Sequence, residues 1–264
     1  MEETSRFQFG KNWLAYLAEG ASPRSMAVAS ESLGKAFGGN LVAGRSFLDV
    51  GSGSGIFSLA AYEAGLKVTS FDYDLNSVAA TEIVSSERWK VLKGDLLSSE
   101  FLLQLSRFDY VYCWGVAHHT GDLWKALENL TTLVAESGTV VVAIYNDQGK
   151  PSIRWKAVKR AYVKHVWLRP FLITGAFIRL WGVKILMDAL KGKPRLRWRS
   201  ANNDQRGMTA WHDLKDWVGG YPFEVAKPEE VFEFFSKRGF VLRHLKTCAG
   251  GIGCNEYRFV RNAA

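Results

Sequence analysis

At 264 residues, with 47% apolar and 23% charged side chains, the chain is long enough for one large domain with a sizeable core, or one domain with an insertion, and is too apolar to be disordered. Three cysteines, Cys113, Cys248 and Cys254, exclude a disulfide framework, and the last two are not spaced like a zinc pair, so reduced thiols are expected. The net charge of +8 is local: residues 150–206 carry 15 Lys or Arg against Asp188 and Asp204, whereas the remainder has 19 basic and 24 acidic residues. Met1 to Arg6 is acidic and polar, unlike the basic and apolar start of a signal peptide, and no repeat or low-complexity tract is visible.

In chain order, an aromatic and basic stretch around Phe7, Phe9 and Trp13 runs into a helical pattern over residues 6–20, followed by a second helix from Arg24 to Phe37. Both precede the first strand, and the arm reads either as a lid over a ligand or as plain helical packing. Phe47, Leu48 and Val50 then form a short apolar run that stops at Gly51, Gly53 and Gly55, and a helical pattern starts at Ile56. A strand, a glycine turn and a helix in that order make a corner where backbone approaches a ligand without a Cβ in the way. The GxGxG spacing, with Asp49 two residues ahead and no following lysine, fits neither a dinucleotide fingerprint nor a phosphate loop.

Strand and helix alternate from there. Lys67 to Phe71 is a strand ending at Asp72, and a helix follows from Asn76 with Asp74 as its cap or as a solvent-facing acid. Asp72 lies near the ~20 residues expected between a glycine turn and a ribose-binding acid, whose carboxylate accepts both ribose hydroxyls. Trp89 to Lys93 is a third strand ending at Gly94 and Asp95, and Phe108 to Cys113 a fourth, opening into Trp114-Gly-Val-Ala-His-His-Thr-Gly-Asp. A helix over Leu123 to Val134 and a strand over Thr139 to Ile144 complete the repeat. Five strands alternating with helices imply a parallel doubly wound sheet, with ligands at the carboxyl ends of the strands, where Gly51, Asp72, Asp95 and Trp114 all fall. A last amphipathic helix, Pro228 to Arg238, precedes a strand, a glycine turn and a returning strand through Asn255 to Val260.

Residues 46–145 resemble the class I S-adenosylmethionine-dependent methyltransferases, and the FDYVYCWGVAHHTGD stretch is similar to the small-molecule branch that includes the ubiquinone-pathway O-methyltransferases. The resemblance implies a mostly parallel seven-stranded sheet closed by an antiparallel hairpin, with S-adenosylmethionine as cofactor. It places Asp49, Gly51, Ser52, Gly53 and Gly55 at the cofactor's turn, Asp72 and Tyr73 at its ribose, Asp95 and Leu96 at its adenine, and Trp114 and Gly115 beside them. Methyl transfer from a sulfonium chiefly needs alignment, but a hydroxyl acceptor also needs a base near neutral pH, for which histidine is suited. His119 is preferred to His118 as that base; either also serves by packing or capping. The stretch lacks the proline-rich clamp of methyltransferases acting on adenine or glutamine nitrogen. Adjacent histidines on extended chain point to opposite sides and make no metal cluster, so no metal is expected.

About eighty residues then intervene before the last helix. The division expected is an arm over 1–40, a cofactor-binding core over 41–149, a basic helical insertion over 150–226 and a closing unit over 227–264. The insertion's first helix sets Trp155, Val158, Tyr162 and Val166 against basic Lys156, Arg160 and Lys164; its second, from Pro170 to Leu190, gathers Arg169, Lys184, Asp188 and Lys191 on one side. The uncharged run from Pro170 to Ile178 is far too short to span a bilayer. Basic faces backed by Trp and Phe suit an anionic membrane surface, and equally suit capping of the sheet or a homodimer. The DWVGGYPFE stretch reads as a shaped, non-helical loop roofing the acceptor, with Arg206, His212, Asp216, Trp217, Tyr221 and Glu224 near it. The reading is therefore a cytoplasmic enzyme that O-methylates a hydroxyl of a small molecule, a surface-glycan sugar or a lipid-linked ring, with the inner face of the membrane as one option for the basic insertion. RNA methylation through the basic insertion and a catalytically silent membrane-surface binding module stand as alternatives.

Overall fold

In the computed structural model, residues 7, 9, 23–86, 89–182 and 210–263 are described. Helix α1 (Pro23–Ala36) leads into β1 (Ser46–Val50), α2 (Ile56–Glu63), β2 (Lys67–Asp72), α3 (Leu75–Val84), β3 (Lys90–Lys93), the single-turn α4 (Ser99–Leu102) and β4 (Phe108–Trp114). A 3₁₀ turn (Ala117–His119) precedes α5 (Leu123–Leu133) and β5 (Val134–Tyr145). Helices α6 (Lys150–Lys164), α7 (Arg169–Phe177), α8 (Ala210–Gly219) and α9 (Pro228–Ser236) follow, and β6 (Phe240–Lys246) and β7 (Cys254–Arg261) close the chain.

The seven strands form one sheet in the order β3-β2-β1-β4-β5-β7-β6. The first five are parallel, and β7 enters antiparallel between β5 and β6. This is the expected α/β architecture. Phe47 and Leu48 are both fully buried although they face opposite sides of the sheet, because helices cover both. On one side α1 and α2 pack over Phe47, Val68, Tyr112 and Val141. On the other α5 and α9 pack over Leu48, Phe71, Val140 and Phe259. Strand order reverses between β1 and β4, so their carboxyl ends diverge and leave a crevice.

A third apolar cluster lies apart from these two and joins α6, α7 and α8 through Trp155, Tyr162, Ala176, Leu214 and Val218. The insertion's predicted stripe holds for Trp155, Val158 and Tyr162 but fails at Val166, which is exposed on a 3₁₀ turn because α6 has already ended at Lys164. Helix α7 stops at Phe177 and continues as a π-helical turn to Gly182, so the part of the predicted second helix beyond 182 lies outside the described residues. Asp216 and Trp217 sit on the last turn of α8, not in the predicted loop, which begins only after Gly219. Among the described residues no helix is long and apolar enough to cross a membrane.

Candidate active site

A cavity of about 400 Å³ opens at the carboxyl ends of β1, β2, β3, β4 and β5. At β1 the chain turns through Gly51, Gly53 and Gly55, all with positive φ. A Cβ on Gly51 would lie 2.4 Å from Val116 Cγ2 and one on Gly55 would press on Thr81 of α3 at 3.0 Å, so these glycines let the β1 turn nest between the β4 turn and α3. Gly51, Ser52 and Gly53 line the cavity; Gly55 does not, and serves as the left-handed N-cap of α2. The Asp72 carboxylate accepts from Gly53 N–H at 3.1 Å and Asp74 N–H at 2.8 Å, which fixes it at the end of β2. Asp74 in turn caps α3 by accepting from Asn76 N–H. Asp95 accepts from Leu97 N–H at 2.8 Å, and Asn129 of α5 donates to the Leu96 carbonyl at 2.7 Å, holding the β3 turn against the cavity. Asp49 accepts from Ser58 Oγ at 2.5 Å and is buried at 3% exposure. Burial pushes its carboxyl up to about 7, and burial likewise pushes Asp72 up to about 6.

The charge of this cavity runs opposite to that of the chain. Five carboxylates line it, those of Asp49, Asp72, Asp74, Asp95 and Asp216, with no Lys or Arg among the described lining. Such a lining disfavours phosphates and favours a cation.

Beyond this half the walls become aromatic. Tyr73 and Trp114 lie on the lining, with Gly115, and Trp114 stacks on Tyr112 at 5.7 Å. Phe7, Phe9, Tyr145 and Tyr221 complete the far wall around His119 and Asp216. Phe7 N–H donates to the Tyr221 carbonyl, and the Phe9 ring sits 5.0 Å from that of His119. The two glycines before Tyr221 admit these rings: a Cβ on Gly219 would strike the Phe7 ring at 2.3 Å, and one on Gly220 would meet His119 Cε1 at 2.9 Å. The Tyr221–Pro222 peptide is cis. His119 Nδ1 lies 2.6 Å from the Pro222 carbonyl. A carbonyl only accepts, so Nδ1 carries the proton and the lone pair belongs to Nε2.

His118 behaves differently. It is wholly buried and absent from the cavity lining, its Nδ1 accepts from Tyr145 N–H at 3.3 Å, and its ring lies 3.9 Å from that of Tyr145. The pair does not splay apart as adjacent residues on a strand would, because both belong to the 3₁₀ turn and their rings meet at 4.5 Å. Trp217 and Glu224, expected near the acceptor, also stand behind the wall. Trp217 packs on Tyr145 and Trp155, and Glu224 accepts from Gly121 N–H while its own N–H donates to the His118 carbonyl. Arg206 and the His212 side chain lie outside the described residues.

Lys159 of α6 was not singled out in the sequence. It is fully buried, donates from Nζ to the Trp217 carbonyl in the last turn of α8, and lies 4.5 Å from the Trp217 ring centre and 4.8 Å from that of Phe223. Burial pulls its pKa down to about 7, against the opposing pull of Asp216 and Cys254. Burial first, and Lys159's charge second, bring His119 down to about 3. Nothing in a single Lys within a basic helix announces burial. Tyr145, by contrast, was findable as the residue ending the fifth strand, where ligands gather in such sheets.

Comparison with known proteins decides the family. A family model described as a methyltransferase domain matches residues 24–226. The chain belongs to that methyltransferase family. No curated protein matches the sequence. Among solved structures, magnesium protoporphyrin IX methyltransferase from Synechocystis PCC 6803 with bound SAH is similar at 13% identity and a TM-score of 0.53, covering 96% of this chain and 94% of that one; the same enzyme has been solved with bound SAM. The [4+2]-cyclase SpnF is similar at 11% identity and a TM-score of 0.52, covering 89% of this chain and 80% of that one. Identities this low speak for the fold alone. S-adenosylmethionine is the cofactor of a methyltransferase of this family, and the residues present fit it. The anionic lining suits a sulfonium and an ammonium, Asp72 offers lone pairs to a ribose, and the β1 turn brings backbone to the cavity wall. Among the described residues no group of three or more His, Cys, Asp or Glu is placed to hold a metal ion.

Proposed function

We propose that this methyltransferase O-methylates a hydroxyl of a small molecule, a sugar or a hydroxylated ring, with His119 as the base. The observation that carries the reading is the 2.6 Å contact of His119 Nδ1 with the Pro222 carbonyl. The Nδ1–H is committed to that carbonyl, so Nε2 is an acceptor on a residue that lines the aromatic half of the cavity. Bound S-adenosylmethionine supplies an electrophilic methyl group on a positively charged sulfur. Phe7, Phe9, Tyr145 and Tyr221 hold the acceptor's apolar faces and exclude water, while Asp216 accepts from a further hydroxyl. Burial keeps the His119 ring neutral, with a pKa of about 3, so Nε2 orients the hydroxyl by accepting its hydrogen bond and takes the proton only as the carbon–oxygen bond forms, which makes that oxygen strongly acidic, and the carbon–sulfur bond breaks. Asp49 and Asp72 bind the cofactor's cationic end and ribose; Asp95 and Leu96 flank its adenine. SpnF shows that this fold also hosts a cyclase, so the base, not the fold, supports transfer to oxygen.

The test measures formation of demethylated cofactor with panels of sugars, hydroxylated aromatic rings and amines, for wild type and His119→Ala. Turnover with hydroxyl acceptors, reduced in kcat by about 10²–10⁴ in His119→Ala at unchanged cofactor affinity, is the expected result. Turnover of amines alone, or full activity of His119→Ala, would overturn the reading.

A further inference from the structure

The third apolar cluster leaves a second apolar face of the insertion open. Helix α7 and its π-helical turn bury Leu172, Ile173, Ala176, Phe177 and Leu180 against α6 and α8. On the opposite side Trp167 and Phe171 are each 69% exposed and Ile178 is 60% exposed, with Val166 beside them at 65%. Trp167 stands on the 3₁₀ turn before α7, Phe171 on the first turn of α7 and Ile178 at the start of the π-helical turn, so three large apolar side chains are exposed within one short helical run. Single exposed apolar residues need no explanation; a Trp, a Phe and an Ile exposed together do.

The surrounding charge is of one sign. Residues 150–182 hold eight Lys or Arg and no Asp or Glu. Arg154, Lys156, Arg160 and Lys164 are exposed on α6, and Lys164 and Arg179 bracket the apolar stripe at its two ends. Arg169 is the exception, drawn back over the Tyr162 ring and donating from Nε to the Tyr162 carbonyl. The segment over 183–209 does not supply the missing negative charge, since its sequence has seven Lys or Arg against two Asp. The occupant that complements this face carries negative charge and offers an apolar layer within a side chain's reach of that charge.

We propose that the face formed by Trp167, Phe171 and Ile178, flanked by Lys164 and Arg179, docks on an anionic lipid surface. The aromatic and aliphatic side chains enter the boundary between headgroups and acyl chains, while the cations stay at the level of the lipid phosphates. A nucleic acid would engage the cations and stack on Trp167 and Phe171, but has no use for Val166 and Ile178. The aliphatic members of the stripe favour lipid. The insertion then lies on the surface rather than across it, and the cavity's aromatic half, roofed by α8, is held near the membrane by the same three-helix cluster.

Sedimentation with vesicles tests this on the full chain, without cofactor or acceptor, so its outcome is independent of the methyl-transfer reading. Co-sedimentation with phosphatidylcholine vesicles containing phosphatidylglycerol, and none with phosphatidylcholine alone, is expected. A Trp167→Ser/Phe171→Ser/Ile178→Ser variant should bind at least tenfold more weakly at an unchanged melting temperature, since the three side chains are exposed. Lys164→Glu/Arg179→Glu should weaken binding and remove most of its salt dependence. Absence of binding to anionic vesicles, undiminished binding of the triple serine variant, or binding to a single-stranded RNA oligonucleotide in place of vesicles would each overturn the proposal.

Discussion

The two halves of the cavity are built on different principles. The cofactor half consists of local devices: each strand end supplies a turn, and the acid in that turn is fixed by backbone N–H groups a few residues away or on the adjacent strand. The acceptor half is a long-range assembly in which Phe9, His119, Tyr145 and Tyr221 come from four distant segments, held by ring packing and by the Pro222 carbonyl. Local devices tolerate change around them, whereas an assembly of rings passes a disturbance from one member to the next. Damage to the first half should appear in cofactor affinity, and damage to the second in turnover.

The largest effect on cofactor affinity is expected from Asp72→Ala. It removes the proposed acceptor for the ribose hydroxyls and frees the Gly53 and Asp74 N–H groups that the carboxylate now holds. Hydrogen bonds to a charged group contribute about 1.5–3 kcal/mol each, so calorimetric titration should show affinity for S-adenosylmethionine reduced on the order of 100-fold. Unchanged affinity would remove Asp72 from the site.

Gly220→Ala examines the other half. Its Cβ would stand 2.8 Å from the Asp216 carbonyl oxygen, 2.9 Å from His119 Cε1 and 3.2 Å from Phe9 Cζ, so the last turn of α8, the base or its covering ring has to shift. Misplacement of a reacting group by about 1 Å can cost on the order of 100-fold, so kcat/KM should fall by roughly 10- to 100-fold while cofactor affinity holds. Loss of cofactor affinity instead would show that the two halves are mechanically one.

The same contrast explains what was legible in the sequence. The sheet, the hairpin and the turns at Gly51, Asp72 and Asp95 follow from periodicity and spacing within short windows, and the structure has them where expected. His118, Trp217 and Glu224 were assigned by proximity in sequence to the right elements, yet each packs behind the wall, because which side of a 3₁₀ turn or a helix end faces a cavity depends on partners a hundred residues away. The GGYP glycines were legible as a turn but not as clearance for Phe7, Phe9 and His119. Lys159 was hidden among neighbouring cations, since burial of a lysine is set by the aromatic cluster that closes over it.

A smaller effect is expected from pH on cofactor binding. Burial raises Asp72 to about 6 and Asp49 to about 7, so both are substantially protonated at pH 5 and charged at pH 8. In the roles proposed for them, toward the ribose hydroxyls and the cationic end of the cofactor, both act in the charged form. Affinity should therefore rise by at least about tenfold from pH 5 to pH 7 and level off above 8. Titrations across that range, repeated with Asp72→Asn to flatten part of the rise, check the assignment; a pH-independent affinity in wild type would contradict it.

The smallest effect on activity, and the sharpest on the acceptor half's electrostatics, is expected from Lys159→Met. Methionine keeps the volume among Trp217, Phe223 and Tyr145 but removes the charge that helps to hold His119 down at about 3. The His119 pKa, followed by its ring proton resonances, should rise in the variant, and any acid limb of the rate profile should move upward with it. Stability supplies an independent reading. Lys159 sits at about 7 folded against 10.5 in the unfolded chain, so between those values the unfolded state binds the extra proton and the wild type gains stability as pH rises. The methionine variant has no such proton and should lose that gain. A variant whose His119 resonance and stability profile both matched wild type would show that Lys159 titrates in the fold as it does in the unfolded chain and leaves His119 unperturbed.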